Sequence, residues 1–419
     1  MKGGEKMEQT VTIKIKLKLK NPSDADKLVH TMEMFRQASN YISQYIFDHD
    51  FLLNQNKIQK AIYHEIRDKF NLKSQFAISA IRGTVARYKT VQTQLEQKPF
   101  RYNTGEKDQF GDEIWKKIPR GLSWLWKPVF FKRPQADLQR NRDWSILKDG
   151  TLSLNTLDGR IKATSICHGF DQYLDGTWKL GLAKIRHVGN KWMLHISATK
   201  EFLNYQKEQS QHVVGVDRGL RFLATVYDEK GKTMFFDGQK IVRKRRKFKQ
   251  LRAQLQLKGT KSAKRRLKKI GQRENRWMTD INHRLSKTLV DRYSANTLFV
   301  LENLVNVRFA TERVAKDRRY EQVSWAFYQL EQFLTYKAHL VGSEVVDVSA
   351  RYTSQRCPKC GRINKDNRNH HLHLYQCDRC GYKSNDDRIG AINIQLLGTQ
   401  YVSGVPRPAF KKSKKTTDE

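Results

Sequence analysis

Two pairs of cysteines near the end of the chain constrain its fold more than any other feature. Cys357 and Cys360 form one Cys-x-x-Cys pair, and Cys377 and Cys380 form a second. A two-residue gap allows both thiolates of a pair to bind the same metal ion, and two such pairs complete a tetrahedral site. The spacing therefore predicts a zinc ribbon that holds one structural Zn²⁺ ion through four thiolates.

Disulfide bonds and free structural thiols are the alternative interpretations of these cysteines. We find no apolar signal segment and no dense cysteine scaffold, so nothing in the sequence favours an oxidising compartment. His370, His371 and His373 lie between the two pairs and have the chemistry of ligands. Because four thiolates already saturate a structural zinc site, we expect these histidines only to decorate the loop. The fifth cysteine, Cys167, is expected to be a buried strand residue.

The charge of the chain indicates the class of its partner. Lysine and arginine number 80 against 42 acidic residues, which gives a net charge of +38. Such an excess is typical of proteins that neutralise phosphates, and no segment approaches the length of an apolar membrane span. Aromatic residues are interleaved with cations at 124–127 and 130–133, a mixture that suits stacking on unpaired bases. Burial in a strand core is the more ordinary interpretation of those aromatic residues.

The first half of the chain reads as a barrel interrupted by helices. Residues 10–19 alternate between apolar residues and lysine or threonine, which predicts a strand with one buried face. Apolar spacing from about residue 24 to 97 predicts two or three amphipathic helices, and residues 101–126 read as a loop or insertion. Strand-like runs return at residues 129–131, 152–154, 162–166, 177–182 and 192–198.

A second unit with an α/β pattern begins near Val213. Short apolar strands are predicted at 213–217, 222–227, 298–302 and 345–348, and a helix is predicted at about 322–341. The strand, helix and strand from 298 to 348 predict a right-handed crossover. A long basic stretch, about 242–293, predicts a helical hairpin that breaks at Gly259. The polar, basic tail after Gln400 is expected to be disordered.

Three acidic residues stand at the ends of these predicted elements. Asp217 and Glu302 end apolar strands, and Asp387 opens an apolar helix directly after the cysteine pairs. One acid at a strand end is usually a solvated turn residue, but three in matching positions of one strongly basic chain favour a site. Carboxylate oxygens are the ligands that Mg²⁺ and Mn²⁺ prefer, and two such ions about 4 Å apart support phosphodiester hydrolysis.

Several segments resemble a known family. Residues 215–219, 301–304 and 387–394 resemble the three split motifs of a RuvC-type nuclease domain, which has an RNase H-like fold. Residues 352–361 resemble the zinc-ribbon opening of TnpB, the transposon-encoded relative of type V CRISPR effectors. Residues 276–286 resemble the segment that precedes the second acidic motif in that family. The resemblance covers roughly residues 213–397, and upstream it extends only to the order of the elements.

The resemblance implies an RNA-guided DNA endonuclease of a transposable element. A guide RNA derived from the element end would pair with double-stranded target DNA beside a short target-adjacent motif. Asp217, Glu302 and Asp387 would be the catalytic acids and would bind Mg²⁺ or Mn²⁺, with two ions expected. Asp386 is the local rival to Asp387, but the spacing to the following Gly-Ala favours Asp387. Ile389 and Asn303 depart from the family pattern without removing a metal ligand, so we expect an active nuclease.

The implied fold is multidomain α+β. An N-terminal β-barrel, the wedge, is interrupted by a helical lobe and precedes a split RNase H-like RuvC α/β nuclease domain with an inserted zinc ribbon. The expected parts are a first wedge strand (1–20), a helical recognition lobe and insertion (21–126), the remaining wedge strands (127–212), the first part of the RuvC-like nuclease (213–350), the zinc ribbon (351–383), the last part of the nuclease (384–398) and a basic, disordered tail (399–419).

Two other functions remain open at this stage. One is a nuclease-inactive, RNA-guided DNA-binding repressor of the same fold, against which the intact acids argue. The other is a DNA strand-transfer transposase, because RNase H-like cores serve both reactions and a fold does not determine a function. We expect no membrane association and a cytoplasmic, nucleoid-associated location in a prokaryote.

Overall fold

The computed structural model describes residues 6–96, 100–107, 109, 113–118, 121–166, 169, 171–293, 295–304, 327–369 and 371–411. Cys167, His370 and the predicted start of the helix at 322–326 lie outside these residues. The chain divides into two compact units, one from Glu8 to Glu201 and one that contains the residues from Phe202 onwards. Among the described helices, none combines the length and the apolar composition needed to cross a bilayer.

A seven-stranded sheet forms the centre of the first unit. The strands of this unit are β1 (Lys6–Leu19), β2 (Phe100–Lys107), β3 (Glu113–Ile118), β4 (Gln135–Leu138), β5 (Trp144–Ile146), β6 (Leu152–Thr156), β7 (Gly159–Ile166), β8 (Lys179–Val188) and β9 (Lys191–Leu203). The sheet order is β4-β8-β9-β1-β7-β6-β5. Trp144 on edge strand β5 donates its indole Nε1–H to the carbonyl of Gly181 on β8 at 3.1 Å. The sheet is therefore nearly closed, as the predicted barrel requires.

Three amphipathic helices follow β1, as the apolar spacing predicts. They are α1 (Pro22–Asp48), α2 (Gln55–Phe70) and α3 (Ser74–Leu95). Asn21 and Asp24 form a capping box at the start of α1, and Asn71 ends α2 in the left-handed conformation. Their buried faces carry the apolar residues expected from a period of 3.6, among them Leu28, Phe35, Ile42, Ile58, Ile62, Ile66, Phe76 and Val85.

The structure differs from two predictions for this unit. The segment at 101–126, expected to be a loop or insertion, contains the antiparallel pair β2 and β3. The segment 129–131 is not a strand, because side chains of the helices satisfy its backbone groups. Asn40 Oδ1 accepts from the amide of Phe131 at 2.7 Å, and Ser43 donates to the carbonyl of Val129 at 2.6 Å. A segment whose backbone is satisfied in this way has no need of a neighbouring strand.

The second unit is built on a five-stranded sheet. Its strands are β10 (His212–Asp217), β11 (Phe222–Tyr227), β12 (Thr233–Asp237), β13 (Thr297–Glu302) and β14 (Glu344–Val348), in the order β12-β11-β10-β13-β14. β10, β13 and β14 are parallel, whereas β11 and β12 run antiparallel. The predicted strand–helix–strand arrangement is confirmed, and β12 was not predicted.

Four helices within the described residues pack on this sheet or extend from it. They are α4 (Gln239–Lys258), α5 (Lys261–Tyr293), α6 (Phe327–Leu340) and α7 (Asp386–Val402). The hairpin of α4 and α5 breaks at Gly259, which is left-handed as a helix-ending glycine often is. β13 sends Phe299 and Leu301 towards α5 and α6, and Leu298 and Val300 towards α7. Helices therefore cover both faces of the parallel strands, as a near-continuous apolar strand sequence requires.

Three short strands form the segment between β14 and α7. They are β15 (Arg368–Asn369), β16 (Leu374–Gln376) and β17 (Lys383–Asn385). The tail expected to be disordered from residue 399 differs in the structure. Helix α7 continues to Val402, and Phe410 is buried against apolar residues around α7 and beneath the guanidinium of Arg356. An aromatic side chain with a burial site holds this part of the tail in place.

Candidate functional site

The three predicted acids lie near one another at one edge of the five-stranded sheet. Asp217 and Glu302 are the last residues of β10 and β13, which are parallel neighbours with Val216 opposite Leu301. Asp387 is the second residue of α7, and this helix packs closely on β10. Parallel strands end at the same edge of a sheet, so their terminal side chains meet where ligands bind in α/β folds.

Glycines allow α7 to approach β10. A Cβ atom on Gly390 would lie 2.6 Å from Oδ2 of Asp217, and one on Gly215 would lie 2.2 Å from the carbonyl oxygen of Ala391. The contacts at Gly215 are with the backbone of α7, so this position requires glycine, whereas a side chain at Gly390 would force the Asp217 carboxylate or the helix to shift. The Gly-Ala pair that follows Asp387 in the sequence thus has a physical role, because it brings the start of α7 against Asp217.

The electrostatics of the edge disfavour three separate negative charges. Burial, followed by the negative charges of Glu302 and Asp387, raises the pKa of Asp217 well above its ordinary value. Burial also raises the pKa of Glu302, against the opposing effects of the Thr353 hydroxyl and of two nearby arginines. A bound cation would favour the ionised form of each carboxylate, so the donor set suits a divalent metal ion.

The structure distinguishes Asp386 from Asp387. The Asp386 side chain is 1% exposed, and its oxygens accept hydrogen bonds from Arg368 Nε at 2.9 Å and from the Asp387 amide at 3.0 Å. Asp387 is 15% exposed, and Asn385 caps the helix by accepting from its amide and from that of Arg388. Of the two, Asp387 is the more accessible acid and has the larger effect on Asp217. The assignment of Asp387 as the third catalytic acid stays a prediction that this geometry supports.

Two side chains from the segment between the cysteine pairs reach these acids, which the sequence did not indicate. Arg368 on β15 contacts both Asp386 and Asp387, the latter at 3.4 Å through Nη2. His373 does not merely decorate the loop, because its Nδ1 lies 3.4 Å from Oδ1 of Asp386. His373, Asp386 and Asp387 form one of the two tight groups of potential metal ligands within the described residues, and neither group includes Asp217 or Glu302. His371 belongs to neither group.

Arg218 is a further residue whose role sequence reasoning missed. The sequence suggested only a turn at this position, but the Arg218 side chain is fully buried. It donates to the backbone carbonyl of Glu302, to the carbonyl of Phe327 at 3.3 Å and to the Glu331 carboxylate at 2.8 Å. The residue after Asp217 thereby ties the end of β10 to the end of β13 and to α6. An arginine directly after the acid that ends an apolar strand is the sequence signal that could have indicated this role.

The four cysteines form the second tight group. The Sγ atoms of Cys357 and Cys380 are 3.6 Å apart, those of Cys360 and Cys377 are 3.5 Å apart, and all four lie within 4.8 Å of one another. A tetrahedral zinc site with Zn–S bonds of about 2.3 Å places its sulfurs roughly 3.8 Å apart. The cysteines are not in disulfide bonds. Their number, chemistry and spacing fit one Zn²⁺ ion, and no described histidine belongs to this group.

The two cysteine pairs adopt the same backbone turn. The amides of Gly361 and Gly381 each donate to the carbonyl of the first cysteine of their pair at 3.0 Å, and both glycines have positive φ. Ile389 of α7 packs directly on this cluster together with Tyr375. The cysteine group and the start of α7 therefore share a core, so the metal-binding segment is joined physically to the helix that carries Asp387.

Asn393, one turn further along α7, anchors the opposite side of the same segment. Its amide donates to the carbonyls of Thr353 and Arg356, both at 2.7 Å. Thr353 in turn donates its hydroxyl to the carboxylate of Glu302. The buried Asn393 amide thus links α7, which carries Asp387, to the start of the cysteine segment, and through Thr353 to Glu302.

Two protein-family models match segments of the chain that contain this site. The family model OrfB_IS605, described as "Probable transposase", matches residues 196–308. The model of the Cas12f1-like TNB domain matches residues 327–394. The first match includes the ends of β10 and β13, and the second includes both cysteine pairs and the start of α7.

Curated relatives agree with these families. The chain is 27% identical over 243 residues to the CRISPR-associated endodeoxyribonuclease Cas12f1 of Sulfoacidibacillus thermotolerans, covering 54% of this chain and 55% of that protein. It is 28% identical over 226 residues to a TnpB-like protein of Methanocaldococcus jannaschii, covering 52% of this chain and 79% of that protein. The match to Cas12f1 thus spans only about half of the length of that relative.

A solved structure shares the fold. The protein chain in the cryo-EM structure of a Cas12f1-sgRNA-target DNA complex superposes with a TM-score of 0.57 at 12% sequence identity. The superposition covers 93% of this chain and 99% of the other. The resemblance proposed from the sequence motifs is confirmed: the chain is a relative of the TnpB-like and Cas12f1 proteins.

Proposed function

We propose that the chain is an RNA-guided DNA endonuclease of a transposable element. The observation that carries this proposal is the meeting of Asp217, Glu302 and Asp387 at the carboxyl edge of parallel strands. The relatives support it, because one of them is named as a CRISPR-associated endodeoxyribonuclease. The five-stranded sheet with α4 to α7 would be the RuvC-like nuclease domain, divided by a zinc ribbon.

Asp217, Glu302 and Asp387 would hold Mg²⁺ or Mn²⁺, and we expect two ions. Such ions supply an activated water and stabilise the leaving oxygen in phosphodiester hydrolysis. The residues of the chain supply the preorganisation. Arg218 holds the backbone of Glu302 from within the core, and Arg368 holds Asp386 and Asp387 in one orientation. Burial of the edge raises the strength of every charge–charge interaction there.

Cys357, Cys360, Cys377 and Cys380 would bind one structural Zn²⁺ ion. Four thiolates leave no open position for a reacting water, so this ion would have no chemical role. Its role would be to order the segment that carries Arg368 and His373 to the acids. The zinc ribbon would therefore affect catalysis only by holding Arg368 and His373 in place beside the acids.

The proposed partners are a guide RNA and double-stranded target DNA. The hairpin of α4 and α5 carries 20 lysines and arginines against three acidic residues, and most of these cations are exposed. Such a surface binds phosphate backbones without reading sequence, which suits a protein whose specificity comes from base pairing in an RNA–DNA heteroduplex.

The decisive experiment tests dependence on RNA. Purified protein receives the RNA that copurifies with it, and then the same RNA with its terminal guide segment replaced. We expect cleavage of a plasmid in Mg²⁺ to move to the sequence that matches the new guide, beside the same short motif. Equal cleavage by RNase-treated protein, or a cut site that ignores the new guide, would disprove the proposal.

A strand-transfer transposase is the second candidate, because one matching family model is described as a probable transposase. The two functions differ in their products. A transposase joins a cleaved transposon end to target DNA, whereas the proposed endonuclease leaves unjoined ends. A strand-transfer assay with a labelled transposon end separates them, and joined product in the absence of RNA would favour the transposase.

A further inference from the structure

Three exposed aromatic side chains lie in the segment of the first unit between β3 and β4. Trp124 is 61% exposed, Trp126 is 56% exposed and Phe130 is 64% exposed. We name these three residues the aromatic platform. The expectation that they belong to a strand core is wrong, and neither the proposed nuclease site nor the barrel core uses them.

The platform is held in place by the helices beneath it. The hydroxyl of Tyr88, a fully buried residue of α3, accepts from the amide of Val129 at 3.2 Å, and Ser43 of α1 donates to the carbonyl of the same residue. Asn40 and Arg36 of α1 contact the backbone of Phe131 in the same way. The backbone on both sides of Phe130 is therefore anchored by side chains of α1 and α3.

Trp126 is supported by a ring on one face. Phe51 stacks on it with a centroid distance of 4.4 Å and an interplanar angle of 8°, and Phe51 itself packs edge-on against Tyr88 at 5.0 Å. Phe51 has a φ of 58°, in the left-handed region that a bulky residue rarely adopts. Strained backbone that persists is held by its surroundings, and it is most common at binding sites.

The charges around the platform indicate the chemistry of its ligand. Lys127 Nζ lies 6.0 Å from the centroid of the Trp124 ring, and Lys132 and Arg133 are exposed directly after Phe130. Residues 121–136 contain no acidic residue. The exposed carboxylates of Asp48 and Asp50 precede Phe51 in the sequence, so the cations next to the platform come from its own segment. The exposed rings favour a ligand with flat aromatic groups, and the neighbouring cations favour one with negative charge. A nucleotide has both, a flat base and a phosphate.

We infer that Trp124, Trp126 and Phe130 form a stacking site for unpaired nucleotides. Aromatic side chains beside lysine and arginine bind single strands in this way, through the faces of the bases and the charge of the backbone. The inference rests on the proposed function only for the class of partner, a nucleic acid. It adds that part of this partner is unpaired where it meets the first unit.

The test compares a 20-nucleotide strand with an abasic strand of the same length, because the two share phosphates and differ in their bases. Binding of fluorescently labelled strands is measured by anisotropy, in separate DNA and RNA arms that identify which strand is preferred. We expect the wild-type protein to prefer the base-containing strand by roughly tenfold or more, since stacking contributes about 1–3 kcal/mol per base. The double substitution W124A/W126A is expected to reduce this preference to less than about twofold.

Control variants distinguish loss of the aromatic platform from loss of any exposed ring and from unfolding. Tyr328→Ala removes an equally exposed aromatic ring, 69% exposed, from the second unit and should leave the preference unchanged. Trp126→Phe keeps a ring and should retain most of the preference. Circular dichroism of W124A/W126A checks that the variant is folded, which is expected because both rings are largely exposed.

Two results would overturn the inference. One is an unchanged base preference in W124A/W126A. The other is a wild-type dimer in sedimentation that becomes monomeric in W124A/W126A with strand binding unaltered, which would assign the platform to contacts between copies. Guided cleavage on the same preparations separates this inference from the proposed function. A protein that cuts no DNA but shows the base preference refutes only the function, whereas cleavage without the preference refutes only the platform.

Discussion

At the scale of single residues, the carboxylates of the proposed nuclease site differ in burial and in their hydrogen-bond partners. Asp217 and Glu302 lie at strand ends where burial raises their pKa values, and Asp387 lies at a capped helix start. Asp386 is buried and accepts a hydrogen bond from Arg368, so we expect it to position its neighbour rather than to take the place of Asp387. The difference between adjacent aspartates can be tested directly.

Alanine in place of Asp217, Glu302 or Asp387 should lower DNA cleavage by roughly three orders of magnitude, because each change removes a carboxylate from the proposed metal site. Binding of nucleic acid should change little, since the basic surface is intact. Gel-based cleavage rates and anisotropy measure the two quantities. Asp386→Ala serves as the comparison and should retain more activity than Asp387→Ala. The opposite order would reassign the third acid to Asp386.

Arg218 allows a second prediction at this scale. Arg218→Met removes the hydrogen bond to the Glu302 carbonyl and the ion pair with Glu331. We expect the free energy of unfolding to fall by about 3 kcal/mol, because the loss of one partner of a buried ion pair destabilises a protein by this much. If Arg218 positions Glu302, the Mg²⁺ concentration needed for half-maximal cleavage should also rise. A loss of stability with an unchanged Mg²⁺ requirement would make its role purely structural. The double substitution R218M/E331M, which removes both charges, should recover part of the stability.

At the scale of elements, α7 connects the proposed zinc ribbon to the sheet. Its Ile389 packs on the cysteine cluster, Asn393 holds the carbonyls of Thr353 and Arg356, and its glycines fit against β10 and β13. A disturbance of this helix should therefore reach the acids even when none of them is changed.

Gly390→Ala tests the close approach of α7 to β10. The added methyl group would lie 2.6 Å from Asp217 Oδ2, so either the carboxylate or the helix must move, and we expect cleavage to fall by about tenfold or more. The matched control is Gly271→Ala in α5, where nothing lies within 4 Å of the new Cβ atom. This control should be stabilised by about 0.5–1 kcal/mol with unchanged cleavage. Equal activities of the two variants would contradict the packing argument.

Metal removal tests the role of the cysteine segment. The double substitution C357S/C360S should lose the single zinc ion expected per chain and should lower cleavage, because Arg368 and His373 would no longer be held beside the acids. Elemental analysis and cleavage rates are measured on the same sample. His371→Ala, a change outside the cysteine group, is the control and should keep both zinc and activity. Protein prepared without chelators that contains no zinc would contradict the assignment.

At the scale of the whole molecule, the hairpin of α4 and α5 carries a net charge of +17 (20 cations minus three acids), a large share of the +38 of the chain. The hairpin of α4 and α5 combines a buried apolar seam, which includes Leu255, Ala263 and Ile270, with long rows of exposed cations. Within it, Glu274 is buried between Arg245 and Arg252, which supports the pairing of the two arms. The hairpin therefore presents its exposed cations on two arms that contact each other through apolar side chains and a buried ionic cluster.

Neutralising exposed cations of α5 should weaken nucleic-acid binding and its salt dependence together. Substituting Lys264, Arg265 and Lys268 by glutamine removes three exposed charges, so the slope of log K against log salt should become shallower by about 0.9 for each lost contact with duplex DNA. Binding titrations between 50 and 300 mM salt would measure this slope. A similar triple substitution of Lys57, Lys60 and Lys69 on α2 provides a comparison of equal charge. Equal slopes in both variants would show that the hairpin has no special role.

Much of the fold follows from patterns that act over a few residues. Alternation in β1, the spacing of apolar residues in α1 to α3 and the apolar strands before Asp217 and Glu302 all predict the elements that the structure contains. These patterns predict correctly because the face of a strand or helix on which a side chain lies depends only on local backbone geometry. The cysteine spacing predicts one tight thiolate group for the same reason, and the structure contains it. The division into seven parts and the functional role of each acid stay predictions.

Long-range contacts account for what the sequence did not show. Whether 129–131 becomes a strand depends on Asn40 and Ser43, which are far away in the sequence, and the exposure of Trp126 depends on the same helices. Arg368 and His373 reach the acids only because the cysteine segment folds back onto α7. The sequence by itself determined most of the elements, the acids that end β10 and β13 and the tight group of cysteines, because each depends on local spacing. Only the tertiary structure decided which distant side chains reach the acids, among them Arg368 and His373, because such contacts arise from the packing of whole elements and leave no local pattern.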